Sequence, residues 1–337
     1  MNTIVCFGEI LLRIGASGPD PLLRTPALAG HVGGAEANVA VSLACLGHGA
    51  SMVTTLPDHA LGDACIAELR RHGVDTSAIR REAGRLGLYF LSPPAMLRPS
   101  QVIYDRAGSA FAQASAEAYH WSDLLRGARW LHVSGITPAL GERASQALDA
   151  AISAAETLGI GVSFDCNFRP TLWRGRESEG ARALAALARR ATLLFGGALD
   201  VATMFGQDFT ASLADEALAL AARAAFAECP KLEWLATTQR IARSIDHHEL
   251  TGYVATRTGL AASRRFDLQP IVDRVGAGDA FAAGVLHARL HGMDAQQAAD
   301  FGAAAGALKH SITGDFSILR ETEILNLLNS NGLDIQR

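Results

Sequence analysis

The chain has 337 residues, 49% of them hydrophobic and 19% charged, with a formal net charge of −4. That is enough apolar mass for a large buried core, while the absence of any basic run argues against nucleic acid as a partner. No uninterrupted apolar run of about 18 residues is present, so neither a membrane-spanning helix nor a membrane partner is expected.

Met1-Asn2-Thr3 leads straight into an apolar segment, without the basic stretch and small-residue cleavage site of a secretory leader. A cytoplasmic location is therefore expected. Thr3 to Phe7 is a β-rich run ending at Gly8, which predicts a first buried strand. Residues 9–32 read as irregular, with Gly15, Gly18, Pro19, Pro21, Pro26 and Gly30 scattered through them. Gly33-Gly34 then opens a helix from Ala35 to about Leu46, closed by Gly47. A strand over 50–55 and a helix over 61–71 follow.

Residues 85–106 break this rhythm. Gly87 to Leu91 and Gln101 to Asp105 are two β-like pieces around a turn containing Pro93, Pro94 and Pro99. Two strands with no helix between them predict a small separate sheet, a lid formed with part of 9–32. Strands at 130–133, 160–165, 192–195 and 232–237 then alternate with helices at 141–158, 177–190 and 212–228. A β piece at 251–256 precedes helices at 277–291, 294–309 and 321–329. The Ala-rich stretch 294–308, broken by Asp294, Gln296, Gln297 and Asp300, reads as an amphipathic helix on a core. The pattern predicts one α/β domain over 1–337, with lid segments at about 9–32 and 85–106. Its core is a three-layer sandwich with a mainly parallel central sheet covered on both faces.

Cys6, Cys45, Cys65, Cys166 and Cys229 are far apart and include no Cys-x-x-Cys. They read as small buried hydrophobes in a reducing compartment, and no zinc site is expected. His247-His248 has no third ligand spaced to join it and reads as a solvated loop.

Two segments carry chemistry. In Asp273-Arg274-Val275-Gly276-Ala277-Gly278-Asp279-Ala280-Phe281, two glycines admit close backbone approach and a helix begins. Its free N–H groups make an anion site, and Asp279 in the first turn is placed to take a proton from an attacking hydroxyl. In Gly33-Gly34-Ala35-Glu36-Ala37-Asn38, glycines again precede a helix, and Asn38 lies one turn in. The chain has neither a Walker Gly-x-x-x-x-Gly-Lys-[Ser/Thr] nor a Rossmann Gly-x-Gly-x-x-Gly segment. A nucleotide must therefore be held by another phosphate cradle, and a nicotinamide dehydrogenase is disfavoured.

In this order and separation the two segments resemble the signatures of the ribokinase-like (PfkB) carbohydrate kinases. Within that family the chain is similar to the 2-keto-3-deoxygluconate (2-dehydro-3-deoxygluconate) kinases. Among the stretches that carry this are Gly8-Glu9-Ile10-Leu11-Leu12-Arg13, Val102-Ile103-Tyr104-Asp105-Arg106, Ser134-Gly135-Ile136-Thr137-Pro138, Asp165-Cys166-Asn167-Phe168-Arg169 and Lys309-His310-Ser311-Ile312-Thr313-Gly314-Asp315. The resemblance implies an eight-to-nine-stranded sandwich with a β lid, ATP and Mg²⁺, and phosphoryl transfer to the primary hydroxyl of a sugar acid. By position it implies that Gly33, Gly34 and Asn38 hold sugar hydroxyls and that Tyr89, Tyr104 and Arg106 reach in from the lid. Arg169 would meet the substrate carboxylate or the transferring phosphate. Asp279 would be the base, Gly276, Ala277 and Gly278 the anion hole, and Asn167, Thr238 and Arg240 nucleotide contacts. It also implies subunits paired through their lids, a homodimer or larger.

The chain departs from the family at two places. One is the nucleotide-base region, where Thr237-Thr238-Gln239-Arg240 and Ser244-Ile245-Asp246-His247-His248 replace a Gly-rich turn. Where relatives carry Gly-Asn-Glu-Glu-Asp, it has Gly196-Gly197-Ala198-Leu199-Asp200, leaving Asp200 as the candidate group on the metal side. That loss keeps a second reading open: a sugar-acid binding protein without catalysis. A kinase for another sugar, such as 2-keto-3-deoxygalactonate or fructose, is a third.

Overall fold

A computed structural model describes residues 3–16, 18–24, 26–209 and 214–329. Of the expected segments, positions 1–2, 17, 25, 212–213 and 330–337 lie outside the described residues. The first half runs β1 (Thr3–Phe7), β2 (Leu11–Ala16), β3 (Leu28–Gly33), α1 (Ala35–Cys45), β4 (Gly49–Pro57), α2 (Ala60–Arg71), β5 (Ile79–Glu82), β6 (Gly87–Ser92) and β7 (Gln101–Asp105). Two short helices, α3 (Ala110–Gln113) and α4 (Trp121–Leu124), lead to β8 (Ala128–Ser134), α5 (Glu142–Thr157) and β9 (Gly161–Asp165). The second half runs α6 (Glu177–Ala188), β10 (Leu193–Phe195), α7 (Ala198–Phe205), α8 (Ala214–Glu228), β11 (Trp234–Ala242), β12 (His248–Thr256), β13 (Gly259–Ala262) and β14 (Phe266–Leu268). Helices α9 (Ala277–Leu290), α10 (Ala295–Lys309) and α11 (Glu321–Asn329) close it.

The central sheet has ten strands, in the order β13-β12-β11-β10-β9-β8-β1-β4-β5, with β14 also paired to β12. From β5 to β11 all neighbours are parallel, and β12 to β14 add an antiparallel edge. Short edge strands such as β5, with two arginines, and β14 carry the sheet beyond the eight or nine strands expected. Both faces are covered because successive side chains on a strand point opposite ways. Val5 and Phe7 of β1 enter one core with α5 and α6, whereas Ile4 and Cys6 enter the other with α1 and α9. Cys6, Cys65, Cys166 and Cys229 are free and buried, and Cys45 is half-buried. Among the described residues no helix is long and apolar enough to cross a membrane.

The second sheet is the lid, ordered β3-β2-β6-β7. Residues 9–32, read from sequence as irregular, contribute two regular strands to it. β2 alternates buried and half-buried residues along Leu11–Ala16, and β3 pairs with it antiparallel. Gly15, Gly30 and the prolines between the strands masked that alternation. Helix α10 also differs from the amphipathic expectation: beyond its first turn, nearly every residue from Ala298 to Lys309 is buried. Its alanines and glycines allow a close crossing with α9, where a Cβ on Gly284 would lie 2.8 Å from the Gly302 Cα. The small residues serve backbone approach rather than a polar outer face.

Candidate active site

Parallel strands end together, and loops leaving their carboxyl ends converge on one side of the sheet. Glu9 follows β1, while Ser134 and Asp165 end β8 and β9. Opposite them lie the start of α9 and the lid. A cleft of about 480 Å³ opens between these parts. It is lined by Gly34, Asn38, Tyr89, Tyr104, Arg106, Asn167, Arg169, Arg240, Gly276, Gly278 and Asp279, drawn from all the predicted segments, together with Asp165, Arg274 and Asp315.

Asp279 is half-buried on the first turn of α9, and Asn38 Nδ2 donates to its Oδ2 at 2.6 Å. Burial pushes the Asp279 carboxyl up to about 6, against the pull of the Asn38 hydrogen bond and of Arg169 and Lys309. A group with that value is largely ionised at neutral pH yet basic enough to take a proton. Beside it, the Gly278 and Asp279 amides have no carbonyl four residues back to bond, while the Ala277 N–H donates to the Arg274 carbonyl at 3.4 Å and that of Ala280 to the Gly276 carbonyl at 2.9 Å. Gly276, at φ 81°, makes the turn into the helix, and a Cβ there would lie 1.9 Å from the Asp315 carbonyl oxygen. Gly34 plays the same part before α1: its φ is 143°, and a Cβ would sit 2.3 Å from the Glu9 carbonyl oxygen.

Asp165 was not singled out from the sequence. Burial first, then the charges of Asp279 and Asp200, push its carboxyl up to about 8, while Arg169 and the Asn167 N–H oppose the shift. Asn167 holds a left-handed backbone at φ 36° and donates its N–H to Asp165 Oδ1 at 3.0 Å. Such backbone strain in a non-glycine residue is typical of functional sites. Arg240 and Arg274 face the same cleft. Burial, then the neighbouring Arg274 charge, hold Arg240 below the usual guanidinium value. Two cations held close together with open space before them form an anion site.

Some predicted residues stand behind the wall. Gly33 passes so close to Asp315 that a Cβ would lie 2.3 Å from its Oδ2. Ala277 opens α9. Thr238 sits on β11 opposite Gly252. Asp200 Oδ2 accepts the Gly197 N–H at 2.8 Å and caps α7, although its charge is felt at Asp165.

The two lid arginines read or passed over in the sequence are both engaged. Arg106 is buried, and its Nε and Nη2 donate to Glu9 Oε2 at 2.8 and 2.5 Å. Arg13 of β2, also buried, holds Asp273 Oδ2 at 2.7 Å and Asp315 Oδ1 at 3.0 Å. Tyr89 donates its hydroxyl to Asp315 Oδ2, and Arg274 donates to Ser100 Oγ. The Arg13, Tyr89 and Arg274 contacts fasten the lid to the loop before α9 and to Asp315 after α10. Lys309, fully buried, completes the charge set by donating to the Ile312 carbonyl at 2.9 Å. Burial lowers its pKa, and Asp273 and Asp315 partly restore it. Glu9, Arg13, Asp165, Lys309 and Asp315 all fall in stretches whose identity was visible. Their long-range partners were not, since Arg13 and Asp273 are 260 residues apart, Tyr89 and Asp315 226, and Glu9 and Arg106 97.

An anion-receiving helix start beside a basic carboxylate, at the carboxyl ends of a parallel sheet, defines a phosphotransferase site. The profile described as "pfkB family carbohydrate kinase" matches residues 1–239 and 253–319, and the chain belongs to that family. It is similar to the solved 2-dehydro-3-deoxygluconokinase of Thermotoga maritima, with 38% identity, 98% of each chain covered and a TM-score of 0.93. The 2-dehydro-3-deoxygalactonokinase of Haloferax volcanii is 30% identical over 335 residues, 99% of each chain. A solved fructokinase with bound ATP from Xylella fastidiosa is 25% identical, with a TM-score of 0.77 over 97% of this chain and 98% of that one. The chain is therefore a sugar kinase.

Proposed function

We propose that this chain transfers the γ-phosphoryl group of ATP to the primary hydroxyl of 2-keto-3-deoxygluconate, with Asp279 as general base. The observation that carries this reading is the Asp279 carboxylate, raised to about 6 and oriented by Asn38 at the mouth of the α9 amides. The substrate hydroxyl enters beside Asn38, whose buried Oδ1 has no partner among the described residues and accepts from it. Asp279 takes the hydroxyl proton as that oxygen attacks the γ-phosphorus, and ADP departs. The α9 amides and Arg169 stabilise charge on the transferring oxygens. Arg240 and Arg274 hold a second anionic group, the substrate carboxylate or the phosphate chain.

When bound, Mg²⁺ neutralises charge on the phosphate oxygens. Asp165 and Asp200 would hold it, because burial first, and then the Asp279 and Asp200 charges, raise Asp165, and a divalent cation would stabilise the ionised carboxylates there. The reaction draws on cytoplasmic ATP, and the enzyme acts as a homodimer or larger assembly joined through its lids.

Two observations favour particular alternatives. The Haloferax relative supports the galactonate epimer as substrate. The use of Asp200 as a helix cap supports a binding protein without turnover. Coupled ADP release with ATP, Mg²⁺ and a panel of 2-keto-3-deoxygluconate, its galactonate epimer, fructose and ribose separates them. Turnover confined to the keto-deoxy acids is expected. Turnover only with a neutral sugar would overturn the acid assignment, and binding without turnover would leave the non-catalytic reading.

A further inference from the structure

Far along α9 from Asp279, three histidines meet on the outer side of the helical layer. His48 follows the end of α1, and His287 and His291 lie one turn apart at the end of α9. His48 Nε2 and His287 Nδ1 are 3.0 Å apart. Ligating atoms of all three residues fall within 4.8 Å of one another. We propose that His48, His287 and His291 form a binding site for a divalent transition-metal ion of the zinc class, separate from the catalytic cleft.

Ring packing accounts for part of the arrangement. His287 is fully buried and stacks on Phe301 with ring centroids 4.5 Å apart and planes 7° from parallel, and on His291 at 4.2 Å. It does not account for the nitrogens. His291 Nδ1 donates to the His287 carbonyl at 3.0 Å, which leaves its Nε2 as a lone-pair donor. His48 Nε2 and His287 Nδ1 point at each other, so in a neutral pair one donates its N–H to the lone pair of the other, and a metal ion would take the place of that proton. An ion bonded at about 2.0–2.1 Å to each nitrogen would hold them about 3.3 Å apart, close to what is seen. His291 is exposed and free to close the remaining gap.

The far side of His287 fits the same assignment. Its Nε2 is buried with no hydrogen bond among the described residues, and Glu321 Oε1 stands 3.5 Å away at the start of α11. Metal on Nδ1 places the ring proton on Nε2, facing that carboxylate, which is the outer-shell partner metal-bound histidines usually have. Burial also holds His48 and His287 unprotonated, near 4 and 3. Three imidazoles with a solvent-facing fourth position suit zinc, and nitrogen ligands order divalent ions with copper and nickel also strong. The ion would tie the ends of α1 and α9 to α11. Expectations drawn from the sequence looked for cysteines and for adjacent histidines, whereas these three are 239 and 4 residues apart.

Chelator-treated full-length protein titrated with zinc chloride in excess Mg²⁺, by calorimetry and thermal melting, tests this. One zinc per chain and a saturating rise in melting temperature are expected. His48→Gln and His291→Asn should each weaken binding at least tenfold, and Glu321→Gln about tenfold. Both histidines reach solvent, so their variants should melt like the parent without zinc and keep its sugar-kinase turnover. Cobalt(II) in the parent should give the intense visible absorption of tetrahedral coordination, absent in His291→Asn. No zinc uptake by the parent, or equal uptake by both histidine variants, would overturn the proposal.

Discussion

The proposed role of Asp279 rests on one proton, and its replacement should separate binding from turnover. Asp279→Asn keeps the side-chain volume and removes the base. Its kcat should fall about 10²–10⁴-fold with substrate binding largely retained, as coupled ADP release and calorimetry would read. A variant that keeps more than about a hundredth of the parent rate would remove Asp279 from that role. Because the base works ionised and its value is about 6, kcat/KM should climb with pH below 6 and level off above it. Stability should run the other way. Asp165 is raised to about 8, Glu36 to about 7, and Asp279 and Asp315 to about 6, from ordinary values near 4. A carboxyl raised on folding contributes stability that is complete below its unfolded value and is lost as pH rises through the folded one. Burial holds His48, His132 and His287 near 4, 3 and 3, which opposes this trend up to their ordinary value of about 6.5. Ligand-free protein should therefore melt at progressively lower temperature between about pH 6.5 and 8, and Asp165→Asn should flatten that part of the curve. An unchanged slope in the variant would mean Asp165 is not held protonated.

Helix α9 and the turn before it were legible in the sequence because local chemistry alone specifies them. Gly276, Gly278 and Asp279 give a turn, a helix start and an acid within four residues, and the structure brings all three to the cleft. The two glycines differ in kind, and substitution should show it. Gly276→Ala meets both a positive φ and the Asp315 carbonyl at 1.9 Å, so it should lose about 1–3 kcal/mol in chemical denaturation along with activity. A Cβ on Gly278 meets nothing within 4 Å. Gly278→Ala should keep its stability within about 0.5 kcal/mol, and any loss of turnover there reports crowding of the ligand. Other elements were hidden for physical reasons. β2 and β3 are interrupted by glycines and separated by prolines, and pairing with β3 and β6 makes Leu11–Ala16 a strand. The roles of Asp165 and Asp315 depend on charges up to hundreds of residues away. Arg106, expected to reach in from the lid, does line the cleft, but its pairing with Glu9 could not be read from the sequence.

Joined to the sheet through Arg13 and Arg274, the lid is also an open-edged object. In β3-β2-β6-β7 the outer strands β3 and β7 have no further neighbour among the described residues. Long edge strands with apolar residues invite another chain unless they are covered. On β7, Val102 and Tyr104 line the cleft, so Ile103 between them points to the opposite face, where it is 49% exposed. Leu28 on β3 is 39% exposed. Ile103 and Leu28 are apolar surface that the proposed second lid would bury. Ile103→Asp places a charge on that outer face and leaves Tyr104 and Arg106 in register. By light scattering at micromolar concentration, the parent should be a dimer or larger and the variant should shift to monomer. The variant's KM for the sugar acid should rise more than its kcat falls, because Asp279, Asn38 and α9 lie outside the lid. A parent that is monomeric at that concentration would show that each lid closes over its own cleft unaided.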